Sequence, residues 1–456
     1  MQKTVLAIDI GSTKICAIIA KIEDETISIM GADIAKATGL KKGSITNIEL
    51  ASKSIEIAVE GAKRIAGVSI DRAYVSISGA YTKNVQSSAI VNIPNKEIGL
   101  KEIHRVMQTS LYNANIPSES EILHALPYNF KVDEQDYIED PLGMNASRLE
   151  VQTNIVTTQK SSLNNIRKAV KAAGIDIENI ILSGYASAIA TLNDDEKSLG
   201  CAMIDLGGST SNLVIHAGNS IRYSDFLAVG SNHITNDLSM ALHTPQNVAE
   251  KVKTSHGTLR NSSNDLIEIP VLGDEGTTQE VSLDVVYNVI YARVEETMMI
   301  LAHAIEKSGL KNHLGAGVIL TGGFTKLEGV RELAIALFDN MPVRLARPKK
   351  MEGMFEELND PAFSTGLGLI RYAAGSYTPY EIDVNKNMRH HKEPAAAREE
   401  ISLHDLHKSD DSTTEIPRRA NNKNAKENFG ATPMNRPNEA QTSFFSKFRA
   451  WASQLF

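Results

Sequence analysis

Ile204-Asp205-Leu206-Gly207-Gly208-Ser209-Thr210-Ser211-Asn212-Leu213-Val214-Ile215 is the stretch whose reading decides the fold. An apolar run from Ala202 carries one aspartate near its end, two glycines and two hydroxyl residues follow, and Leu213-Val214-Ile215 leaves as an apolar segment. That order predicts strand, tight turn, strand. Such a turn presents several backbone N–H groups beside Ser and Thr hydroxyls, and glycine, lacking a Cβ, lets a ligand approach closely. A phosphate chain is the natural occupant. Asp205 is placed to hold a magnesium ion through water, since Mg²⁺ keeps much of its hydration shell. Taken alone, the pattern equally suits an ordinary β-turn, because Gly-rich turns punctuate many hairpins.

The chain repeats the device. Val5-Leu6-Ala7-Ile8-Asp9-Ile10-Gly11-Ser12-Thr13-Lys14-Ile15-Cys16-Ala17-Ile18-Ile19-Ala20 has the same order of parts and adds Lys14. Two copies of one phosphate-gripping hairpin predict two similar lobes closing on a nucleotide. A third glycine signal, Leu320-Thr321-Gly322-Gly323, ends an apolar run with bare backbone, against which a nucleobase or ribose can lie flat.

Composition sets the bounds. At 456 residues and 42% hydrophobic, the chain exceeds one ordinary core and should divide into at least two domains. A net charge of −8 argues against general nucleic-acid binding. The two cysteines, Cys16 and Cys201, lie in apolar runs beside the hairpins, so reduced, buried thiols of a cytosolic protein are expected. The first strand is expected from about residue 4, with no signal peptide. No apolar run is long enough to span a bilayer.

After the first hairpin the pattern predicts a strand at Ile27 to Gly31, then a helix from Ile48 to Ala66 capped by Asn47, its apolar face Ile55, Ala58, Val59, Ala62 and Ile65. A strand follows at Ala73 to Ser78. From about residue 80 to 159 the character changes to an inserted α+β subdomain with a polar loop at Asp133 to Pro141. Gly184 to Leu192 reads as a helix linking the lobes, ending in a charged loop, Asn193 to Ser198. In the second lobe, Glu250 and Lys253 share one face of a helix, which on its own is an ordinary surface ion pair. Val281 to Leu310 is a long helical region that Asp284 could cap; Arg293 and Glu296 lie partway along it.

Residues 381 to 441 are rich in charged and polar types and read as a disordered linker, because so little apolar surface cannot offset the entropy of ordering. The last residues reverse that trend. Phe444, Phe445, Phe448, Trp451, Leu455 and Phe456 recur on one helical face, with Lys447 and Arg449 off it. A helix over 442–456 is too short to span a bilayer but suits its interface, the basic residues drawing it to anionic lipid.

The set of motifs, from Ile8-Asp9-Ile10-Gly11-Ser12-Thr13-Lys14 through Gly184-Tyr185-Ala186-Ser187, the central hairpin, Ala249-Glu250-x-x-Lys253 with Gly257, and Leu320-Thr321-Gly322-Gly323 to the terminal helix, resembles the FtsA family of bacterial cell-division proteins within the actin-like ATPase superfamily. The resemblance runs from residue 1 to about 380 and resumes at the last helix. It implies an α/β, two-lobed actin-like (duplicated ribonuclease-H-like) fold: first lobe 1–79, family-specific insert 80–159 making filament contacts, return and connecting helix 160–199, second lobe 200–380 with a partner-binding part at about 230–310. It implies ATP and Mg²⁺ between the lobes, with Asp9 and Asp205 facing the metal, Gly11, Ser12, Thr13, Lys14, Gly207, Gly208, Ser209 and Thr210 at the phosphates, Glu250 and Lys253 at ribose and base, and Gly322 and Gly323 at the adenosine. Arg293 and Glu296 fall where the family binds the C-terminal peptide of the tubulin-like GTPase FtsZ. Self-assembly into filaments, anchoring of FtsZ at the inner face of the cytoplasmic membrane at the septum, and recruitment of later division proteins complete the implication. The connecting helix offers Tyr185, Ser187 and Thr191 but no Asp, Glu, Gln or His before Asn193, which favours at most slow ATP hydrolysis. The rivals are an actin-like assembly ATPase of a pilus or secretion system and a small-molecule kinase of the same fold.

Overall fold

The computed structural model describes residues 2–24, 26–218 and 220–390. The first sheet is built on the first hairpin: β1 (Gln2–Ile10) pairs antiparallel with β2 (Lys14–Glu23), and β2 with β3 (Thr26–Lys36). The small ladder β4 (Leu40–Lys41) and β5 (Ser44–Ile45) leads to α1 (Ile48–Ala66) and β6 (Arg72–Ile77), which lies parallel to β1. The chain bounds α1 as expected: Asn47 Oδ1 accepts the Leu50 N–H at 3.0 Å, and Gly67 closes the helix at φ +67°. Ile55, Ala58, Val59 and Ala62 are buried, whereas Ile65, expected with them, is 50% exposed, because successive three-residue steps carry it to the edge of the stripe.

The insert comprises β7 (Lys83–Asn92), α2 (Leu100–Asn113), β8 (Ser120–Val132), β9 (Gln135–Ile138) and β10 (Arg148–Gln159), in the antiparallel order β7-β10-β8-β9, with its own core including Ile103, Val106, Met107 and Leu149. Strand β9 occupies what reads as a polar loop, its turn made by Asp133 at φ +52° and its exposed residues giving no apolar signal. The first lobe resumes with α3 (Lys160–Ala172), β11 (Asp176–Leu182), which extends the first sheet beside β6, and α4 (Ser183–Thr191). The expected charged loop is instead a one-turn helix, α5 (Asp194–Leu199), held by Glu196, which accepts the Asn193 N–H and an Arg344 Nε–H.

The second lobe repeats the first. Strands β12 (Cys201–Leu206), β13 (Ser211–His216) and β14 (Ile221–Leu227) form an antiparallel meander; α6 (Ser231–Ala241), α7 (Gln246–His256), the hairpin β15 (Leu266–Val271) and β16 (Asp274–Ser282), and α8 (Leu283–Lys307) follow. Then β17 (Val318–Thr321) and β18 (Val343–Leu345), flanking α9 (Val330–Leu337), add parallel to β12. The orders β11-β6-β1-β2-β3 and β14-β13-β12-β17-β18 are thus one topology used twice. The cap of α8 is Ser282, whose hydroxyl accepts the Asp284 N–H at 3.2 Å, and not Asp284. Among the described residues no helix is long and apolar enough to cross a membrane.

Two boundaries move. Helix α10 (Ser364–Ala373) buries Leu367, Leu369, Ile370 and Tyr372 in the first lobe's core, so the chain re-enters that lobe well before residue 380. Residues 381–390, expected as linker, are packed: Ile382 exchanges backbone hydrogen bonds with Ala125 of the insert (2.9 and 3.0 Å), while Glu381 and Asp383 are wholly buried. Asp383 is satisfied by Asn179, Arg389 and the Asn385 and Asn387 N–H groups. Glu381 accepts from Tyr185 at 2.6 Å and from Tyr372, with His124 Nδ1 at 3.8 Å. The rest of the expected linker and the helix expected over 442–456, with all its apolar and basic residues, lie outside the described residues.

Candidate nucleotide site

Between the two sheets lies a cleft of about 290 Å³. It gathers Asp9, Gly11, Ser12, Thr13 and Lys14 from the first hairpin, Asp205, Gly207, Gly208 and Thr210 from the second, and Gly322 and Gly323 after β17. The second hairpin closes as the Gly207 N–H donates to Thr210 O at 2.9 Å. The two tips meet: a Cβ built on Gly208 would stand 1.9 Å from Thr13 Oγ1, so only glycine admits this approach without displacing Thr13. Gly322, at φ +91°, packs so tightly on Asp205 and Leu206 that a Cβ would fall 2.4 Å from Asp205 Oδ1.

The two aspartates come from equivalent strands and share one electrostatic problem. Asp9 is fixed by Ser76, whose hydroxyl donates to Oδ1 at 2.8 Å. Burial, aided by the Asp205 charge and opposed by that hydrogen bond, pushes its carboxyl up to about 6. Asp205 Oδ2 accepts from Ser187 at 2.6 Å and Thr365 at 3.1 Å, and burial raises its pKa too. Burial lowers the pKa of Lys14, whose Nζ stands 3.3 Å from the centroid of the Phe363 ring. Two buried like charges facing a cleft with lysine beside them fit a divalent cation carrying a polyphosphate, which would relieve the repulsion while the hairpin N–H groups met the phosphates. Among the described residues no group of three or more His, Cys, Asp or Glu forms a metal cage, so the ion's other ligands would be water and phosphate.

Three nominated residues are not on the cleft wall. Ser209 points away and accepts from Asn232 Nδ2 at 3.0 Å. Glu250 and Lys253 do lie together, with Nζ to Oε2 at 2.7 Å, but Lys253 reaches Thr235 Oγ1 (2.8 Å) and Ser231 O (3.2 Å). They brace the start of α6, and it is Ser231 that lines the cleft. Arg293 pairs with Asp237 and Glu296 on the α6–α8 face, apart from the cleft. Sequence reasoning missed Ser76 and Thr365, which lie far in sequence from the aspartates they orient, and named Ser187 on the connecting helix without assigning it to Asp205. It also missed Phe324, Pro361 and Ala362, which bring flat apolar surface beside Gly323.

Duplicated sheets, facing hairpins and an interlobe cleft define an actin-like ATPase fold. Solved structures agree: the PilM–PilN type IV pilus biogenesis complex matches with TM-score 0.58 at 15% identity, over 81% of this chain and 98% of that one. MreB5 of Spiroplasma citri bound to ADP matches with TM-score 0.50 at 13% identity, over 82% and 97%. Within that fold the chain belongs to the cell division protein FtsA family. The family model "Cell division protein FtsA" matches residues 202–368, and "SHS2 domain inserted in FTSA" matches residues 79–157. Cell division protein FtsA of Helicobacter pylori strain J99 is 39% identical over 86% of this chain and 86% of that protein. Its counterpart in Pseudomonas aeruginosa is 33% identical over 81% and 89%, and that of Escherichia coli K12 27% identical over 85% and 94%.

Proposed function

We propose that this chain binds ATP with Mg²⁺ in the interlobe cleft, assembles into filaments, and anchors FtsZ filaments to the inner face of the cytoplasmic membrane at the septum, where later division proteins join. The observation that carries the reading is the convergence of both phosphate hairpins and both buried aspartates on one cleft, in a chain of this family. Asp9 and Asp205 would hold the ion through water, the hairpin tips the phosphates, and Gly322 and Gly323 the adenosine. The ion supplies charge neutralisation of the phosphates. Hydrolysis is slow in this reading: among the described residues lining the cleft, the carboxylates are Asp9 and Asp205, both committed to hydroxyl partners, and no Glu, Gln or His is present to position water.

Partner contact is assigned to the α6–α8 face. There Arg293 and Glu296 form an ion pair that an acidic or basic peptide side chain can join. Filament contacts are assigned to the insert, and the membrane contact to residues 442–456, whose aromatic face and basic flank suit an anionic interface. Many copies on one filament make individually weak helices sufficient, because linked sites act at high effective concentration.

The test is co-sedimentation with anionic liposomes in Mg-ATP, comparing the full chain with one ending at Gln441. The full chain is expected to pellet with lipid and the shortened chain to stay in solution. If neither pellets, the membrane assignment fails whatever the nucleotide does.

A further inference from the structure

Ser76 lies in β6, and Ser78 follows immediately after the strand's last residue, Ile77. Ser76 is fully employed: its hydroxyl donates to Asp9 Oδ1 and accepts the Ile10 N–H at 2.9 Å. Ser78 is not. Its side chain is 8% exposed, and among the described residues that line the cleft it alone has a buried side-chain oxygen with no hydrogen-bond partner. Buried hydroxyls are nearly always partnered, because an unmade bond leaves the full cost of desolvation.

The surroundings of that hydroxyl say what it faces. A Cβ built on Gly43 would stand 2.5 Å from Ser78 Oγ and 3.3 Å from Thr210 Cγ2, and the Gly43 N–H donates to Ser12 Oγ at 3.2 Å. Ser78 therefore sits where the tips of the first hairpin (Ser12) and the second (Thr210) converge. Gly322 and Gly323, which follow β17, lie beside the other limb of the second hairpin, Gly322 against Asp205 and Leu206 and Gly323 against Ala362. A nucleotide whose nucleoside rests on the glycine turn would extend its phosphates toward the Ser12–Thr210 corner. A serine hydroxyl needs one χ1 rotation to meet a phosphate oxygen there.

We propose that Ser78 recognises the terminal phosphate of a bound nucleoside triphosphate, so that the cleft prefers triphosphate to diphosphate. This rests on the nucleotide reading given above and adds the residue that tells the two nucleotides apart. Its place matters as well. Gly79, next in the chain, donates its N–H to Asn212 Oδ1 of the second lobe at 3.1 Å, and Lys83 opens the insert. The hydroxyl thus stands at the root of the inserted subdomain, five residues ahead of Lys83, where its first strand begins.

The test is calorimetric titration of the full chain and its Ser78→Ala variant with Mg-ATP and, separately, Mg-ADP. The variant removes one oxygen and no packing. Loss of one charge-assisted hydrogen bond should weaken ATP binding roughly tenfold and leave ADP binding within about twofold. Equal losses for both nucleotides would make Ser78 a support for the Gly43 loop and overturn the proposal. No change in either would mean that the hydroxyl is served by water in the adjoining 30 Å³ cavity, and would overturn it equally. If the unaltered chain binds neither nucleotide, the nucleotide reading itself has failed, and that appears before the variant is made.

Discussion

Two glycines in α10 separate what helix propensity predicts from what packing predicts. In a helix interior, alanine is favoured over glycine by about 0.5–1 kcal/mol, so Gly366→Ala and Gly368→Ala should both stabilise if only propensity mattered. The structure divides them. A Cβ on Gly366 would meet Ile18 Cδ1 at 3.0 Å, the far end of a flexible side chain. A Cβ on Gly368 would stand 1.8 Å from the Ala186 carbonyl oxygen and 2.4 Å from its carbon, which is backbone of α4 and cannot rotate away. A carbon–oxygen contact of ordinary length needs about 3.3 Å, so α4 and α10 would have to separate by roughly 1.5 Å. Overpacking of this kind costs about 1–3 kcal/mol or more, which outweighs the propensity gain. We expect Gly366→Ala to fall within about 1 kcal/mol of the parent. Gly368→Ala should lose about 2 kcal/mol, lowering the midpoint of thermal unfolding, followed by circular dichroism, by about 2–3 °C for a body of this size. A Gly368→Ala protein that melts at or above the parent temperature would refute the close approach of α4 and α10. Because α4 also carries Ser187, the hydroxyl on Asp205, the same variant should weaken Mg-ATP binding.

Other expectations follow from buried polar groups. Burial lowers the pKa of His216 from its ordinary value to about 3, and its Nδ1 has no partner. Between about pH 6.5 and pH 3 the unfolded chain therefore binds a proton there that the folded chain refuses, so stability falls on acidification by up to about 1.4 kcal/mol per unit. Urea midpoints at pH 7 and pH 4.5 should drop less in His216→Leu than in the parent, and equal drops would remove the histidine from the account. The Tyr185 hydroxyl donates to Glu381 at 2.6 Å and accepts the Thr378 N–H at 2.7 Å. Tyr185→Phe leaves both short of a partner at a cost of about 2–3 kcal/mol, loosening residues 376–390. Faster tryptic cleavage after Lys386 and Arg389 is the expected readout, and an unchanged rate would count against it.

The parts that could be read from the sequence are those where a local rule dominates. Both Asp-x-Gly hairpins, the Asn47 cap and the Gly322-Gly323 turn are dictated by residues within a few positions of one another. The parts missed are held by distant partners. Residues 381–390 look like linker because composition counts Glu381, Asp383 and Arg389 as solvated, yet here tyrosine hydroxyls, Asn179 and backbone N–H groups replace water. The β15–β16 hairpin escaped because Pro270 interrupts its first strand and its second is largely polar. Glu250 and Lys253 share the helix face that their spacing requires, but spacing alone carries no distance to the cleft, and they act on it through Ser231.

The seat of residues 381–390 has a mechanical consequence. The chain leaves the described body across the insert, joined there by the two backbone bonds between Ile382 and Ala125 and by the packing of Tyr380 on Phe130 at 5.9 Å. Tension applied beyond His390 would enter through Asp383 and Arg389, then Glu381, and so load Tyr185 of α4 and Tyr372 of α10 directly. A pull at the C-terminal end would therefore be felt first by α4 and α10, with the insert bearing the strain as a strut rather than the second lobe.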